Sequence, residues 1–151
     1  MRNHNNFNNN LSFANAGEKE VAKLLSKYNF KIISYNNDYR YDILCETTQG
    51  KETTIEVKED VRAEDTGNVV IEYESRGKPS GIQTSCADFW VFRVHQKDDI
   101  FHYMYKTENV KKLIREKKYF SDRQMQHTDS KNKLYFFKVK IIRENSDVTL
   151  K

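Results

Sequence analysis

The tightest constraint on this chain is a pair of short alternating segments, Tyr41-Asp42-Ile43-Leu44 and Thr54-Ile55-Glu56-Val57-Lys58, joined by a polar turn, Glu46-Thr47-Thr48-Gln49-Gly50-Lys51. Side chains alternate along a strand, so Glu56 and Lys58 share one face while Ile55 and Val57 share the other. A turn centred near Gln49 sets Asp42 opposite Glu56 in an antiparallel pair. Side chains opposed in this way have Cβ atoms about 4.5–5.5 Å apart. Two carboxylates that close repel unless a cation lies between them. Hard divalent ions such as Mg²⁺ take oxygen ligands from one or two carboxylates together with substrate phosphate. Lys58 adds a positive donor for a phosphate oxygen or a water. The pattern fits metal-dependent phosphodiester cleavage. Its alternative is a solvated hairpin carrying Glu56 and Lys58 as a surface ladder, but such a ladder would place a lysine or arginine opposite Asp42.

Upstream, Asn15-Ala16-Gly17-Glu18 starts a helix that runs to about Tyr28, with Val21, Leu24, Leu25 and Tyr28 as its buried stripe. Glu18 lies one turn before Val21 and Ala22, on the inward side. It can close a capping box with Asn15, and it can also aim a third carboxylate at the hairpin. The two roles are compatible. On this reading Glu18, Asp42 and Glu56, with the Val57 carbonyl, hold one or two Mg²⁺ ions (Mn²⁺ as a substitute). Lys58 orients the attacking water and stabilises the charged transition state.

Asp42 followed by Glu56-Val57-Lys58, after a helix carrying Glu18, resembles the PD-(D/E)xK nuclease superfamily over about residues 16–94. Tyr41 stands where many members carry proline. The resemblance implies a restriction-endonuclease-like α+β fold with a central mixed sheet flanked by helices. It also implies a Mg²⁺-dependent endonuclease acting on double-stranded DNA, of the site-specific homing or restriction type or the junction-resolving type. Most double-strand cutters of that group are homodimers or higher homo-oligomers, with one site for each strand.

The second informative segment is Ser75-Arg76-Gly77-Lys78-Pro79-Ser80-Gly81-Ile82-Gln83-Thr84. Its turn residues precede an expected helix, Ser80–Ala87, whose first amides would favour an anion. Arg76 and Lys78 would add charge-assisted bonds to phosphate. A plain connecting loop is the alternative. The string Pro79-Ser80-Gly81-Ile82, followed by Ala87-Asp88-Phe89-Trp90-Val91-Phe92, also looks like phage-type nucleases of the superfamily. That likeness implies substrate-binding roles for Ser80, Gln83 and Thr84.

Elsewhere the pattern predicts a strand at Lys31–Tyr35, an Asn36–Asp38 turn, and a charged loop from Glu59 to Thr66. Strands are expected at Asn68–Glu74, Phe89–Val94, Ile100–Tyr105 and Leu134–Ile142. In the first of these, Val69, Ile71 and Tyr73 face inward, and Glu72 and Glu74 read as a solvated edge. A helix over Thr107–Lys117, capped by Thr107, carries a basic flank of Lys111, Lys112, Arg115, Lys117 and Lys118. Such flanks are usually solvated faces, with DNA contact as the second reading. Residues 1–13 read as a flexible arm, 14–144 as one domain, and 145–151 as a frayed tail.

Composition narrows the rest. The 151 residues can enclose one substantial core, and nine tyrosines, nine phenylalanines and one tryptophan can fill it. A net charge of +4 suits a polyanionic partner without requiring one. Cys45 and Cys86 show no zinc spacing, and no segment nears the roughly 20 apolar residues of a membrane span. A reducing, intracellular compartment is expected, and the resemblance to phage-type nucleases implies the cytoplasm of a bacterial or phage-infected host cell. The four histidines show no HxH or HExxH spacing, and neither GxSxG nor a P-loop occurs. A DNA-binding module without catalysis and an RNA-directed protein remain as alternatives.

Overall fold

The computed structural model describes residues 15–36, 40–127 and 130–151. The expected arm at 1–13 and most of the Asn36–Asp38 turn lie outside them. The chain is a mixed α+β protein. Helix α1 (Ala16–Lys27) leads into β1 (Lys31–Tyr35), β2 (Ile43–Glu46), β3 (Glu52–Asp60) and the short α2 (Ala63–Thr66). Strands β4 (Asn68–Ser75) and β5 (Lys78–Pro79) precede one 3₁₀ turn, Gly81–Gln83. Then come β6 (Phe89–Gln96), β7 (Asp99–Lys106), α3 (Thr107–Arg115), β8 (Ser121–His127), β9 (Ser130–Lys138), α4 (Val139–Asn145) and β10 (Val148–Leu150).

The central sheet is mixed, ordered β1-β2-β3-β6-β7-β10, with β3 and β6 parallel and its other pairs antiparallel. A second sheet, β5-β4-β9-β8, is antiparallel throughout. Alternation along β6 explains the layering. Val91 joins Ile43, Ile55 and Met104 in a cluster under α1, whose Val21, Ala22, Leu24 and Leu25 are buried there. Trp90, Phe92 and Val94 face the other way, packing with Val69, Ile71 and Phe137 of the second sheet and Val110 and Leu113 of α3. Each face of the central sheet therefore has its own apolar cover. Glu56, Lys58 and Asp60 stand beside Trp90, Phe92 and Val94 in the parallel register. They are polar members of the face that meets the second sheet.

Several sequence expectations are corrected. Glu59–Thr66 is not a loop, because β3 continues to Asp60 and α2 follows. Asp60 accepts the Val70 N–H at 3.1 Å, which stitches β3 to β4. The helix expected at Ser80–Ala87 is a single 3₁₀ turn. At Gly81 (φ +53°) a Cβ would lie 2.0 Å from the Glu72 carbonyl oxygen, so the loop lies directly on β4 and cannot coil freely. Thr107 does not cap α3. Lys106 is the N-cap, and the Thr107 hydroxyl donates to the Ala87 carbonyl at 2.6 Å. That helix ends at Arg115 rather than Lys117.

The run Leu134–Ile142 divides into β9 and α4, since Val139 and Ile142 are buried at helical spacing. The tail does not fray: β10 pairs with β7 and buries Leu150. Asp147 secures the preceding turn by accepting from the Lys106 N–H at 2.7 Å and the Asn109 amide at 2.8 Å. Tyr28 is exposed rather than part of the α1 stripe, because it is the C-cap beyond the last turn. Among the described residues no helix is long and apolar enough to cross a membrane.

Candidate active site

The β2–β3 hairpin closes through a Thr47 N–H to Lys51 carbonyl bond of 2.9 Å, with Gly50 at φ +79°. Its register pairs Ile43 with Ile55, Cys45 with Thr53 and Glu46 with Glu52. One residue before this ladder, Asp42 comes level with Glu56. There the regular pairing gives way to a side-chain bond, in which the Val57 N–H donates to Asp42 Oδ2 at 2.7 Å. The Asp42 N–H in turn donates to the Ile55 carbonyl at 2.9 Å. The Asp42 carboxylate is thus held at both its backbone and its tip. Val57 takes part through its N–H, which fixes one carboxylate oxygen.

Three acids at this end of the sheet act on one another. Burial is the main force raising the Glu56 carboxyl to about 7, with the charges of Asp42 and Glu18 adding to it and Lys58 opposing. Asp42 is raised by burial, against the pull of the Val57 hydrogen bond and of Lys58. Glu18 is raised by burial and then by Asp42, while its hydrogen bond at Asn15 lowers it. Lys58 is the cation common to Asp42 and Glu56, and it also favours the charged form of Asp60. Glu18, Asp42 and Glu56 are therefore linked through their charges, with Lys58 acting on Asp42 and Glu56.

Asp60 belongs to this face and escapes a reading that starts a loop at Glu59. Its signal was the continued alternation Glu56, Lys58, Asp60. Tyr35 is a second neighbour: its phenol is raised first by burial and then by the Glu18 charge.

Glu18 also forms the capping box. The Glu18 N–H donates to Asn15 Oδ1 at 2.8 Å, and the Asn15 N–H donates to Glu18 Oε1 at 3.4 Å. What fixes the start of α1 against the sheet comes from far along the chain. Arg93 Nε donates to both Glu59 oxygens at 3.1 and 2.9 Å, and His95 Nε2 also contacts Glu59. Arg93 Nη1 lies 2.8 Å from His102 Nε2. The guanidinium can only donate, so His102 Nε2 accepts and the ring is neutral. Burial, then the Arg93 charge, lowers the His102 pKa accordingly.

Gly17 rests on this cradle. A Cβ there would lie 2.2 Å from Glu59 Oε1 and 3.1 Å from Arg93 Cδ. Gly→Ala in a helix ordinarily gains about 0.5–1 kcal/mol. Here overpacking against a pinned carboxylate costs about 1–3 kcal/mol, so the sign reverses. Gly17→Ala should lower the urea midpoint, and a raised midpoint would show that the cradle yields.

The Arg76–Thr84 segment is dispersed. Arg76 (φ +51°) and Gly77 (φ +78°) form the tight turn of the β4–β5 hairpin, and Arg76 and Lys78 are exposed there. The Ser80 hydroxyl donates to Glu72 at 2.9 Å, and the Thr84 hydroxyl donates to the Gly81 carbonyl at 3.4 Å. Glu74 pairs with Lys133 at 3.1 Å. Ser80 and Thr84 thus spend their hydroxyls inside the protein. Gln83 is exposed and lines a separate pocket beside α3.

The donor set of Glu18, Asp42 and Glu56 is made of hard oxygens, and burial and mutual repulsion disfavour their shared negative charge. That chemistry fits a hard divalent cation. Among the described residues no three His, Cys, Asp or Glu groups stand in a ready-made metal cluster. The Glu18 carboxylate is turned toward its own cap, and one Asp42 oxygen is used by Val57. No protein-family model, curated protein or solved structure matches this chain.

Proposed function

We propose that this chain is a magnesium-dependent endonuclease of the PD-(D/E)xK kind, with a restriction-like core, that cleaves double-stranded DNA at specific targets. The observation that carries this is Asp42 set level with Glu56 at the end of the β2–β3 hairpin and held there by the Val57 N–H, with burial and the charges of Asp42 and Glu18 raising Glu56 to about 7 against Lys58. A surface charge ladder would not keep a carboxyl half-neutral near physiological pH. The mixed sheet backed by α1 supports the same reading.

In this proposal Asp42, Glu56 and Glu18 hold Mg²⁺, or Mn²⁺ in its place. When bound, the ion supplies Lewis acidity and charge neutralisation at the scissile phosphate. Asp42 is kept in position by the Val57 N–H. Lys58 presents an ammonium beside the carboxylates, where it can orient a water or donate to a phosphate oxygen as negative charge grows there. Two such sites would serve the two strands of one target, so we take the active species as a homodimer or higher homo-oligomer.

The test is nicking of supercoiled plasmid with and without Mg²⁺, for wild type and Asp42→Asn. Wild type should nick only with the metal, and the variant should lose on the order of 10²–10³-fold in rate. It should still bind duplex DNA. A wild type that binds DNA without ever cutting it would leave a binding module in place of an enzyme. Parallel four-way-junction and single-stranded RNA substrates report on target class.

A further inference from the structure

The basic flank of α3 does not simply face solvent. Lys111 and Arg115, one turn apart on the same side of that helix, line a pocket of about 300 Å³ with Ile82, Gln83, Ile114 and Tyr135. Lys111 reaches Glu108 at 3.6 Å along the helix surface. Arg115 has no ion-pair partner among the described residues. The Tyr135 ring lies between Tyr73 and Tyr119, with centroid distances of 4.3 and 4.7 Å. With its faces taken up in that way, Tyr135 offers its edge and hydroxyl rather than a stacking surface. Burial and the nearby Asp122 hold that hydroxyl protonated. The polar lining is therefore a guanidinium, an ammonium, an amide and a phenol, set between two isoleucines.

Lys111 also lines a second pocket, where Lys51 and Lys106 stand with the acids Asp88 and Glu108, so the first pocket is the one lined by cations without an acid. Residues 106–143 carry twelve lysines and arginines against four acids, a net +8 within a chain of net +4. The rest of the protein is net acidic. A basic stretch of that net charge suits a polyanionic partner.

We propose that Lys111, Arg115, Gln83 and Tyr135 form a phosphate-binding pocket that seats a backbone phosphodiester of a nucleic-acid strand. This deepens the nuclease reading and rests on it for the identity of the strand. The pocket itself stands apart from the carboxylates. Guanidinium and ammonium groups together make charge-assisted bonds to phosphate oxygens, and the amide and phenol complete a donor ring. The shared chemistry would also admit the phosphate of a free nucleotide.

The experiment is fluorescence-anisotropy titration of a labelled DNA duplex in EDTA, where cleavage cannot occur. The proteins are wild type, the Lys111→Gln/Arg115→Gln double variant, Gln83→Ala, and Lys140→Gln as a cation outside the pocket. The double variant should bind about tenfold more weakly, and its log-affinity against log-salt slope should flatten by about one. Gln83→Ala should weaken binding less, and Lys140→Gln should match wild type. Unchanged melting temperatures show that the variants are folded. Equal binding by wild type and the double variant overturns the pocket and leaves the nuclease reading intact. Loss of adenosine monophosphate binding in the double variant, with duplex affinity unchanged, assigns the pocket to free nucleotides and also overturns the proposal. Wild type that fails to bind duplex at all defeats both readings.

Discussion

Glu56→Gln should abolish magnesium-dependent cleavage and, at the same time, make the protein more stable at pH 8. The two effects share one cause. The Glu56 carboxyl is raised from 4.5 to about 7, first by burial and then by Asp42. An acid whose folded pKa lies above its unfolded value binds more protons when folded. Wild-type stability therefore falls as pH climbs from about 4.5 through about 7, and the full penalty is present above that. Glutamine keeps the shape and removes the charge. With partial solvent screening allowed for, the gain at pH 8 is about 2 kcal/mol, and it should vanish near pH 4.5. Urea unfolding across that range measures it. Parallel stability profiles for the two proteins would mean that Glu56 is no more than a solvated surface acid. A cluster retained at a cost to stability is typical of sites kept for function.

Lys58→Ala should give the opposite stability profile with the same loss of activity. Lys58 is the cation that favours the charged forms of Asp42, Glu56 and Asp60. Without it those carboxyls rise further. Destabilisation should be small near pH 5 and grow to about 1–2 kcal/mol by pH 8. Nicking should fall by on the order of 10²–10³-fold through loss of a donor at the developing charge. Duplex affinity should change little. Lys58→Arg should recover the stability and little of the rate, because a planar fork does not replace a compact ammonium. Full activity in Lys58→Ala would remove the lysine from the chemistry and leave it as a structural counter-charge.

How much of this is legible in the sequence depends on how local the cause is. The hairpin register is legible because the alternation of Ile43 and Cys45 against Ile55 and the turn about Gln49 lie within a few residues of each other. The α1 capping box is equally local. Asp60 is hidden because five charged residues in the eight after Lys58 look like a solvated loop. Nothing local shows that Val70 donates to it. The cradle under Gly17 is beyond sequence reasoning, since Glu59, Arg93, His95 and His102 meet only after β3, β6 and β7 pair. The second sheet is partly illegible for another reason. Strand β8 starts Ser-Asp-Arg-Gln and has almost no apolar face to mark it. The tail misleads because a short C-terminal segment is ordinarily loose, whereas Asp147 and Leu150 fasten this one. The loop at Arg76–Thr84 is informative for composition and misleading for geometry, because Gly81 lies directly against β4.

The most direct measurement is the melting temperature at pH 8 as magnesium is added, for wild type and Glu56→Gln side by side. A ligand that binds only the folded state at about 100 times its dissociation constant adds about 2.7 kcal/mol. For a domain of this size that is a rise of about 5–10 °C. The wild type should show that rise and the variant almost none. A flat wild-type curve, or equal rises in both proteins, would contradict a magnesium site built on these carboxylates.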